Sequence, residues 1–428
     1  MLIDIPKIYL KRVVIIGGGF AGIELAKRLC RTHQVVMIDK HNYHTFQPLL
    51  YQVATAGIEA DSIAFPLRKI FKGQKHFYFR MGKALEILPE KNTLRTDVGD
   101  ITYDYLAVAT GSDTSYFGME NLKANSMPMK TVREALDLRS MILQNFEKAV
   151  GTTTEEERTA LMTYVIAGGG PTGVELAGSL GELKKHVLPH DYPELDFHKM
   201  QIHLIDTSPR LLTAFGEKAS EKAKEYLEKL GVKVWLGYRV TNYDGVFVTT
   251  DKEKTFHTPT MIWAAGVAGV SIPGIPADSI QRNGRVKVDE TNLVDGTTNV
   301  FAIGDVAAMV TKDFPRNHPQ VAQVAIQQAT RLGKNLSSGK AKAHWDKFVY
   351  KDKGSMATVG MHRAVVESKF ITTQGFFAWL LWIFVHLMAL VGFRNRLVVF
   401  FNWLISYFNY DHGLRLIIRP SKRNKPNE

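Results

Sequence analysis

The feature that most constrains this chain is a device that occurs twice. The run Val13-Val-Ile-Ile-Gly-Gly-Gly-Phe-Ala-Gly-Ile-Glu-Leu-Ala26 aligns with Tyr164-Val-Ile-Ala-Gly-Gly-Gly-Pro-Thr-Gly-Val-Glu-Leu-Ala177. In each copy an apolar, β-branched run meets a glycine turn and then apolar residues at helical spacing, which is the opening of a strand, turn and helix unit. Two copies this far apart cannot be a solenoid, whose repeats recur every ~20–50 residues. They mark two domains. Further β-type runs at 35–38, 105–109, 202–205, 261–263 and 300–303 alternate with helical stretches at 131–149 and 217–230. That alternation predicts an α/β fold with parallel, doubly wound sheets.

Gly17-x-Gly19-x-x-Gly22 has the spacing of a dinucleotide-binding turn. The first glycine permits the turn, the second lets a pyrophosphate approach the backbone, and the third lets helix and strand pack closely. The helix so opened offers unpaired N–H groups to phosphate oxygens. Asp39 ends the next strand, where a carboxylate accepts ribose hydroxyls. Gly168-x-Gly170-x-x-Gly173 repeats the turn, with Pro171 and Thr172 inside it and Asp206 as its acid. Asp206 lies well beyond the usual ~20 residues from the turn, which predicts a longer helix or a loop around 189–198. A carboxylate there welcomes two hydroxyls and repels a 2′-phosphate, favouring NADH over NADPH, with Arg210 nearby as a counterweight.

The length of 428 residues fits two or three domains, and 45% apolar with 22% charged residues fits a globular protein. Net charge is +12. Seven Lys or Arg against two acids fall between Arg394 and Glu428, next to the most apolar part of the chain. No nucleic-acid reading motif accompanies them, so nucleic acid is excluded as a partner. A single cysteine, Cys30, excludes an internal disulfide and a Cys-x-x-Cys centre. The 14 histidines show no spacing that would hold zinc, and no metal is expected. The first twelve residues read as neither a secretory signal nor a transit peptide, and a cytoplasmic face is the expectation.

Residues 375–393 carry no charge and are long enough for a transmembrane helix, whereas the second apolar run, 397–408, is too short to cross a bilayer in one pass. Trp379, Trp382 and Trp403 suit an interface, and the basic tail suits anionic headgroups. Two helices lying in one leaflet and a single span remain alternatives on these residues, with the second run's length favouring the leaflet.

Two dinucleotide units, with Ala109-Thr-Gly111, Ala264-Ala-Gly266 and Ala302-Ile-Gly-Asp305 at strand ends, resemble the flavoproteins that carry two dinucleotide-binding domains. The stretch after Asp39 lacks the flavin-side cysteine of the disulfide reductases. Phe46-Gln-Pro-Leu-Leu-Tyr-Gln-Val-Ala-Thr-Ala-Gly57 instead resembles the type II, non-proton-pumping NADH:quinone oxidoreductases. So do Ala322-Gln-Val-Ala-Ile-Gln-Gln328, Tyr350-Lys-Asp-Lys-Gly-Ser-Met-Ala-Thr-Val-Gly360 and Gly375-Phe-Phe-Ala-Trp-Leu-Leu-Trp-Ile-Phe-Val-His-Leu387.

The resemblance implies a hydride passed from NADH to FAD and two electrons then passed to a membrane quinone. It implies two Rossmann-like domains, FAD-binding at 1–118 and 298–373 and NADH-binding at 119–297. A membrane-associated helical segment at 374–428 would attach the protein peripherally to the cytoplasmic face of the cell inner membrane, and a homodimer is left open. FAD contacts are expected from Gly17, Gly19, Phe20, Ala21, Gly22, Asp39, Lys40, Pro48, Thr110, Gly111, Gly304, Asp305 and Gln323. NADH contacts are expected from Gly168, Gly170, Pro171, Thr172, Gly173, Glu175, Asp206, Ala265 and Gly266.

Asp305 reads equally as a helix N-cap. Gln323 and Gln327, four apart on one helix face, would border the quinone or be satisfied core amides. The resemblance implies that Glu175, Lys353, Gln323 and Gln327 are catalytic. Glu24, the twin of Glu175 in the first repeat, supports a mere helix-start preference for acids, and Lys353 reads also as a solvated loop lysine. A soluble NAD(P)H-dependent reductase with a ferredoxin or other protein acceptor, and a nucleotide-sensing membrane adaptor, are the competing functions.

Overall fold

The β-branched runs become the two parallel sheets. In the computed structural model, which describes residues 2–409 and 414–417 apart from the side chains of 406–409, the main elements run in this order. First come β1 (Arg12–Ile16), α1 (Phe20–Leu29), β2 (Gln34–Asp39), α2 (Leu50–Ala54), β3 (Phe77–Met81), β4 (Tyr105–Val108) and α3 (Val132–Gly151). Next are β5 (Thr163–Ala167), α4 (Pro171–Glu182), β6 (Gln201–Asp206), α5 (Glu217–Lys229), β7 (Val232–Leu236) and β8 (Thr260–Trp263). Last come β9 (Val300–Ala302), α6 (Ala322–Ser337), β10 (Ser355–Thr358), β11 (Ala364–Glu367), β12 (Thr372–Gly375), α7 (Phe376–Ala389) and α8 (Phe393–Asn409).

The chain divides into two units. The first comprises 1–44, 65–113 and 267–352, the second 45–64, 114–266 and 353–428. These boundaries differ from those expected of the sequence: 45–64, 114–118, 353–373 and the C-terminal segment from 374 go with the second unit, and 267–297 with the first. The sequence patterns there are too short to show which sheet a segment returns to.

The first unit holds a five-stranded parallel sheet in the order β9-β4-β1-β2-β3. Val13, Val14 and Ile15 are fully buried at its centre, as strands covered on both faces require. On one face α1 and α6 pack together, and Leu25, Leu29, Ala325, Ala329 and Leu332 join one apolar cluster. In the second unit β8-β5-β6-β7 repeat the arrangement, with the two-residue strand Met127–Pro128 at the edge. The long interval before Asp206 is filled by α4, one turn of π-helix at Leu183–Val187, a short helix at Leu188–Asp191 and a 3-10 turn at Phe197–Lys199.

The second unit also carries the antiparallel sheet β10-β11-β12, which runs directly into α7. Only 14 of the residues at 375–393 form α7, and among the described residues no helix is long and apolar enough to cross a membrane. The tryptophans expected at an interface point inward instead. Trp382 is 1% exposed and Trp379 is buried, while Trp403 Nε1 donates to Gln52 Oε1 at 2.8 Å. The outward face belongs to Phe377, Phe384, Met388, Phe393, Phe401 and Ile405. Asn395 anchors α8 by donating to the carbonyls of Ser62 and Ala64 at 3.0 and 3.1 Å. Much of the expected basic tail, including Arg419, Lys422, Arg423 and Lys425, lies outside the described residues.

Candidate active site

In the first unit β1 ends at Ile16 and α1 begins at Phe20, so three glycines make the whole turn. A Cβ on Gly22 would stand 1.9 Å from the Gly17 carbonyl oxygen, so only glycine lets the helix start this close to the strand. The space beside Gly19 is open to at least 4 Å, and no side chain caps the helix. The first-turn N–H groups, with the positive end of the helix dipole behind them, therefore face that space. Asp39 Oδ2 accepts from the Gly18 amide and Oδ1 from the His41 amide at 2.7 Å, which fixes the carboxylate at the rim of the turn.

The remaining FAD candidates of this unit gather at neighbouring strand ends. Phe20 lies edge-on to His44, Ala21 is buried, and Lys40 is exposed. Thr110 Oγ1 donates to the Val270 carbonyl at 2.6 Å, and Gly111 turns with φ +73°. Asp305 is not an N-cap: it sits inside the 3-10 turn Gly304–Val306, and its Oδ2 accepts from Ser112 Oγ at 2.6 Å. Gln327 exchanges both hydrogen bonds with the Lys351 backbone, at 2.9 and 3.0 Å, and is a satisfied amide, while Gln323 is half-buried. The residue that sequence reasoning missed is Gln328, 1% exposed, whose Oε1 accepts from the Gly304 amide at 2.8 Å. Its position one past Gln327 carried no separate signal. Open space over uncapped amides, the anchored carboxylate of Asp39 and a tight Gly304 turn fit a flavin dinucleotide.

The second unit repeats the cradle. A Cβ on Gly173 would stand 1.9 Å from the Gly168 oxygen, the space beside Gly170 is open, and α4 has no side-chain cap. Pro171 and Thr172 are exposed at its first turn. Asp206 accepts from the amides of Gly169 and Ser208, the latter at 2.7 Å. Arg210 is engaged elsewhere, donating to Ser220 Oγ at 2.7 Å and the Thr213 carbonyl at 3.0 Å, so the expected counterweight to Asp206 is tied up in its own loop. Ala265 and Gly266 are half-buried, and the Gly266 carbonyl accepts from the Ser115 amide at 3.0 Å. Pro48, in the 3-10 turn Gln47–Leu49, and the exposed Lys353 also belong to this unit.

Glu175 parts company with its twin. Glu24 pairs with Arg28 at 2.7 Å and accepts from Thr330 Oγ1 at 3.0 Å, as a helix-surface acid does. Glu175 lies beyond the first turn of α4, 7% exposed, with one long hydrogen bond of 3.4 Å from the Thr358 amide. Burial pushes its carboxyl up to about 8. A helix-start preference does not account for an acid placed there.

The pyridine nucleotide-disulphide oxidoreductase family model matches residues 11–329, and the NDH2 C-terminal domain model matches 353–409. Two Mycobacterium tuberculosis proteins, the type II NADH:quinone oxidoreductases NdhA and Ndh, are 38% and 35% identical. Each alignment covers 94% of this chain, and 88% and 89% respectively of the relative. The chain belongs to the type II NADH:quinone oxidoreductase family. A Plasmodium falciparum NDH2 structure in complex with NADH shares the fold, with TM-score 0.87 at 20% identity over 96% of this chain and all of the other. Although the larger family model is named for disulphide chemistry, Cys30 takes no part in any: it is buried, its Sγ donates to the Ala26 carbonyl at 2.8 Å, and burial pushes the thiol up to about 11.

Proposed function

We propose that the first unit holds the flavin on the turn from Gly17 to Gly22, that the second holds NADH on the turn from Gly168 to Gly173, and that Glu175 is catalytic. As a type II NADH:quinone oxidoreductase, this membrane-associated flavoprotein carries electrons from NADH to a quinone without pumping protons. FAD, when bound, accepts two electrons from the nicotinamide and passes them on to the quinone. The protein contributes placement. The observation that carries the reading is the doubled cradle, two uncapped helix starts each closed by its own carboxylate, Asp39 and Asp206. Bound flavin that NADH bleaches and a short-chain quinone restores is the expected behaviour of the purified protein. Restoration by a protein acceptor alone would instead mark a ferredoxin-type reductase, and no bleaching an adaptor.

Asp206 reads the ribose of NADH. Replacing it with Ala removes a charged acceptor and should narrow the kcat/KM preference for NADH over NADPH by about tenfold, the equivalent of one charge-assisted hydrogen bond. An unchanged ratio would assign the reading to another residue.

Attachment is monotopic, on the cytoplasmic face of the inner membrane, through the outward faces of α7 and α8. The exposed phenylalanines Phe377, Phe384 and Phe401 enter the leaflet, where each buried ring contributes about 1.5–3 kcal/mol. Replacing all three with Asp should move the protein from sedimented vesicles of anionic lipid to the supernatant; a variant that still sediments would place the contact elsewhere. Anionic headgroups complement the basic C-terminal segment.

A further inference from the structure

His44, five residues past Asp39 in the short strand Tyr43–Thr45, lies 3% exposed against the first glycine turn. Its Nδ1 stands 3.1 Å from the carbonyl oxygen of Gly18, and the ring of Phe20, the first residue of α1, meets it edge-on at 5.0 Å. A carbonyl oxygen only accepts, so Nδ1 carries the proton. Burial lowers the ring to about 4, which keeps it neutral and leaves Nε2 bare. That second nitrogen is buried and has no hydrogen-bond partner among the described residues. The contact to Gly18 therefore sets the tautomer. The segment around it is tied down as well: the Leu67 amide donates to the Asn42 carbonyl at 2.9 Å, and a Cβ on Gly18 would stand 2.7 Å from Leu67 Cδ1.

One peptide group joins the Gly18 carbonyl to the Gly19 amide. No peptide bond among the described residues is cis, so the C=O and the N–H of that group point opposite ways. Fixing the oxygen toward the imidazole thus fixes the Gly19 N–H away from it. The two preceding amides are engaged within the protein, that of Gly17 with the Ile38 carbonyl and that of Gly18 with Asp39 Oδ2. Gly19 is exposed, and the space beside it is open. The second turn follows the same plan with one part exchanged. There the Gly169 amide donates to Asp206 Oδ2, Leu211 packs over Gly169 as Leu67 does over Gly18, and the Gly169 carbonyl accepts from the Leu212 backbone amide at 2.8 Å. What main chain does for the second turn, the His44 side chain does for the first.

We propose that His44 is a positioning residue for the flavin dinucleotide: by holding the Gly18 carbonyl it aims the Gly19 amide at the pyrophosphate. The proposal rests on the reading that the first turn carries the flavin. An amide held in advance needs no reordering when a phosphate arrives, so loss of the clamp weakens binding although His44 itself need not touch the ligand. Gly18 is buried, and without a donor its carbonyl would be left unpaired. Asparagine can place an amide nitrogen near the position of Nδ1 and keep the donor. Leucine fills much of the same space and donates nothing.

Full-length holoenzyme carrying His44→Leu or His44→Asn is compared with the wild type. In phosphorus NMR spectra of the bound flavin, the pyrophosphate resonances of H44L should move toward those of free FAD, while those of H44N stay in place. After dilution, free-flavin fluorescence should rise about tenfold faster in H44L, the scale of one hydrogen bond left unmade, and within about twofold of the wild-type rate in H44N. Among molecules that retain flavin, KM for NADH should not change in either variant, because the second turn has its own clamp. Nitrogen NMR of the wild-type holoenzyme keeps the test decisive should H44L fold poorly: the histidine signal that H44N deletes should come from a ring protonated at Nδ1. A ring protonated at Nε2, or an H44L protein with wild-type phosphorus resonances and flavin release, would overturn the role of His44 and leave the flavin's place untouched. Equal flavin loss in H44N and H44L, with equally lowered melting of the flavin-stripped proteins, would make His44 a packing residue and overturn the clamp. A raised KM for NADH with flavin held as tightly as in the wild type would overturn the assignment of the flavin to the first turn as well.

Discussion

Gly22→Ala should yield a protein that carries almost no flavin, whereas Gly173→Ala should keep its flavin and lose its use of NADH. In both cases the added methyl stands 1.9 Å from a backbone carbonyl oxygen, of Gly17 or of Gly168, and backbone cannot swing aside as a side-chain end can. The helix must back away from its strand, at a cost of about 1–3 kcal/mol or more, and the amides that face the pyrophosphate move with it. Gly19→Ala and Gly170→Ala act differently, because nothing stands within 4 Å of either new methyl. Those two proteins should melt like the wild type when stripped of cofactor, and the methyl should crowd only the bound dinucleotide. Flavin content by visible absorbance after purification, and KM for NADH in the flavin-replete proteins, check the four variants. Equal flavin loss from Gly22→Ala and Gly173→Ala would contradict the assignment of one dinucleotide to each turn.

The contrast between these turns and the rest of the site explains what was legible in the sequence. A turn of three glycines followed by a fourth at fixed spacing is a local object, and its partners end the next strands, so spacing finds Asp39 and the end of a β-type run finds Asp206. Residues whose role depends on what folds over them were not visible in this way. Trp379 and Trp382 read as interfacial because α7 is apolar all round, yet β10, β11 and β12 cover one face and leave the phenylalanines outside. Gln327 was set beside Gln323 by helical spacing, but its amide is taken up by the Lys351 backbone, and the neighbouring Gln328 is the one that holds Gly304. Glu175 and Glu24 are identical by repeat and opposite in environment, a difference made by the Thr358–Met361 segment nearly 200 residues away.

That difference between the twins predicts an inverted pH response for Glu175→Gln. Burial raises the Glu175 carboxyl from its ordinary value near 4.5 to about 8, so between these two values the folded protein keeps a proton that the unfolded chain has released. Stability therefore falls as pH rises through this window, with a slope approaching about 1.4 kcal/mol per pH unit from this group. Its contribution is fully present below pH 4.5 and lost by the time pH passes 8. Glutamine keeps the shape, accepts from the Thr358 amide and has no proton to lose. The melting temperature of E175Q should thus lie close to that of the wild type at pH 5 and above it at pH 8, by an amount worth a few kcal/mol. Parallel melting curves across this range would mean that Glu175 is ionised in the folded protein and solvated more fully than its burial allows. The same substitution should lower quinone reduction by about a hundredfold, the usual scale for a positioned acid–base group. A variant that is more stable at pH 8 and far slower is the signature of a carboxyl kept in an unfavourable place for its chemistry, since a purely structural acid at this position would be improved by glutamine with no loss of rate.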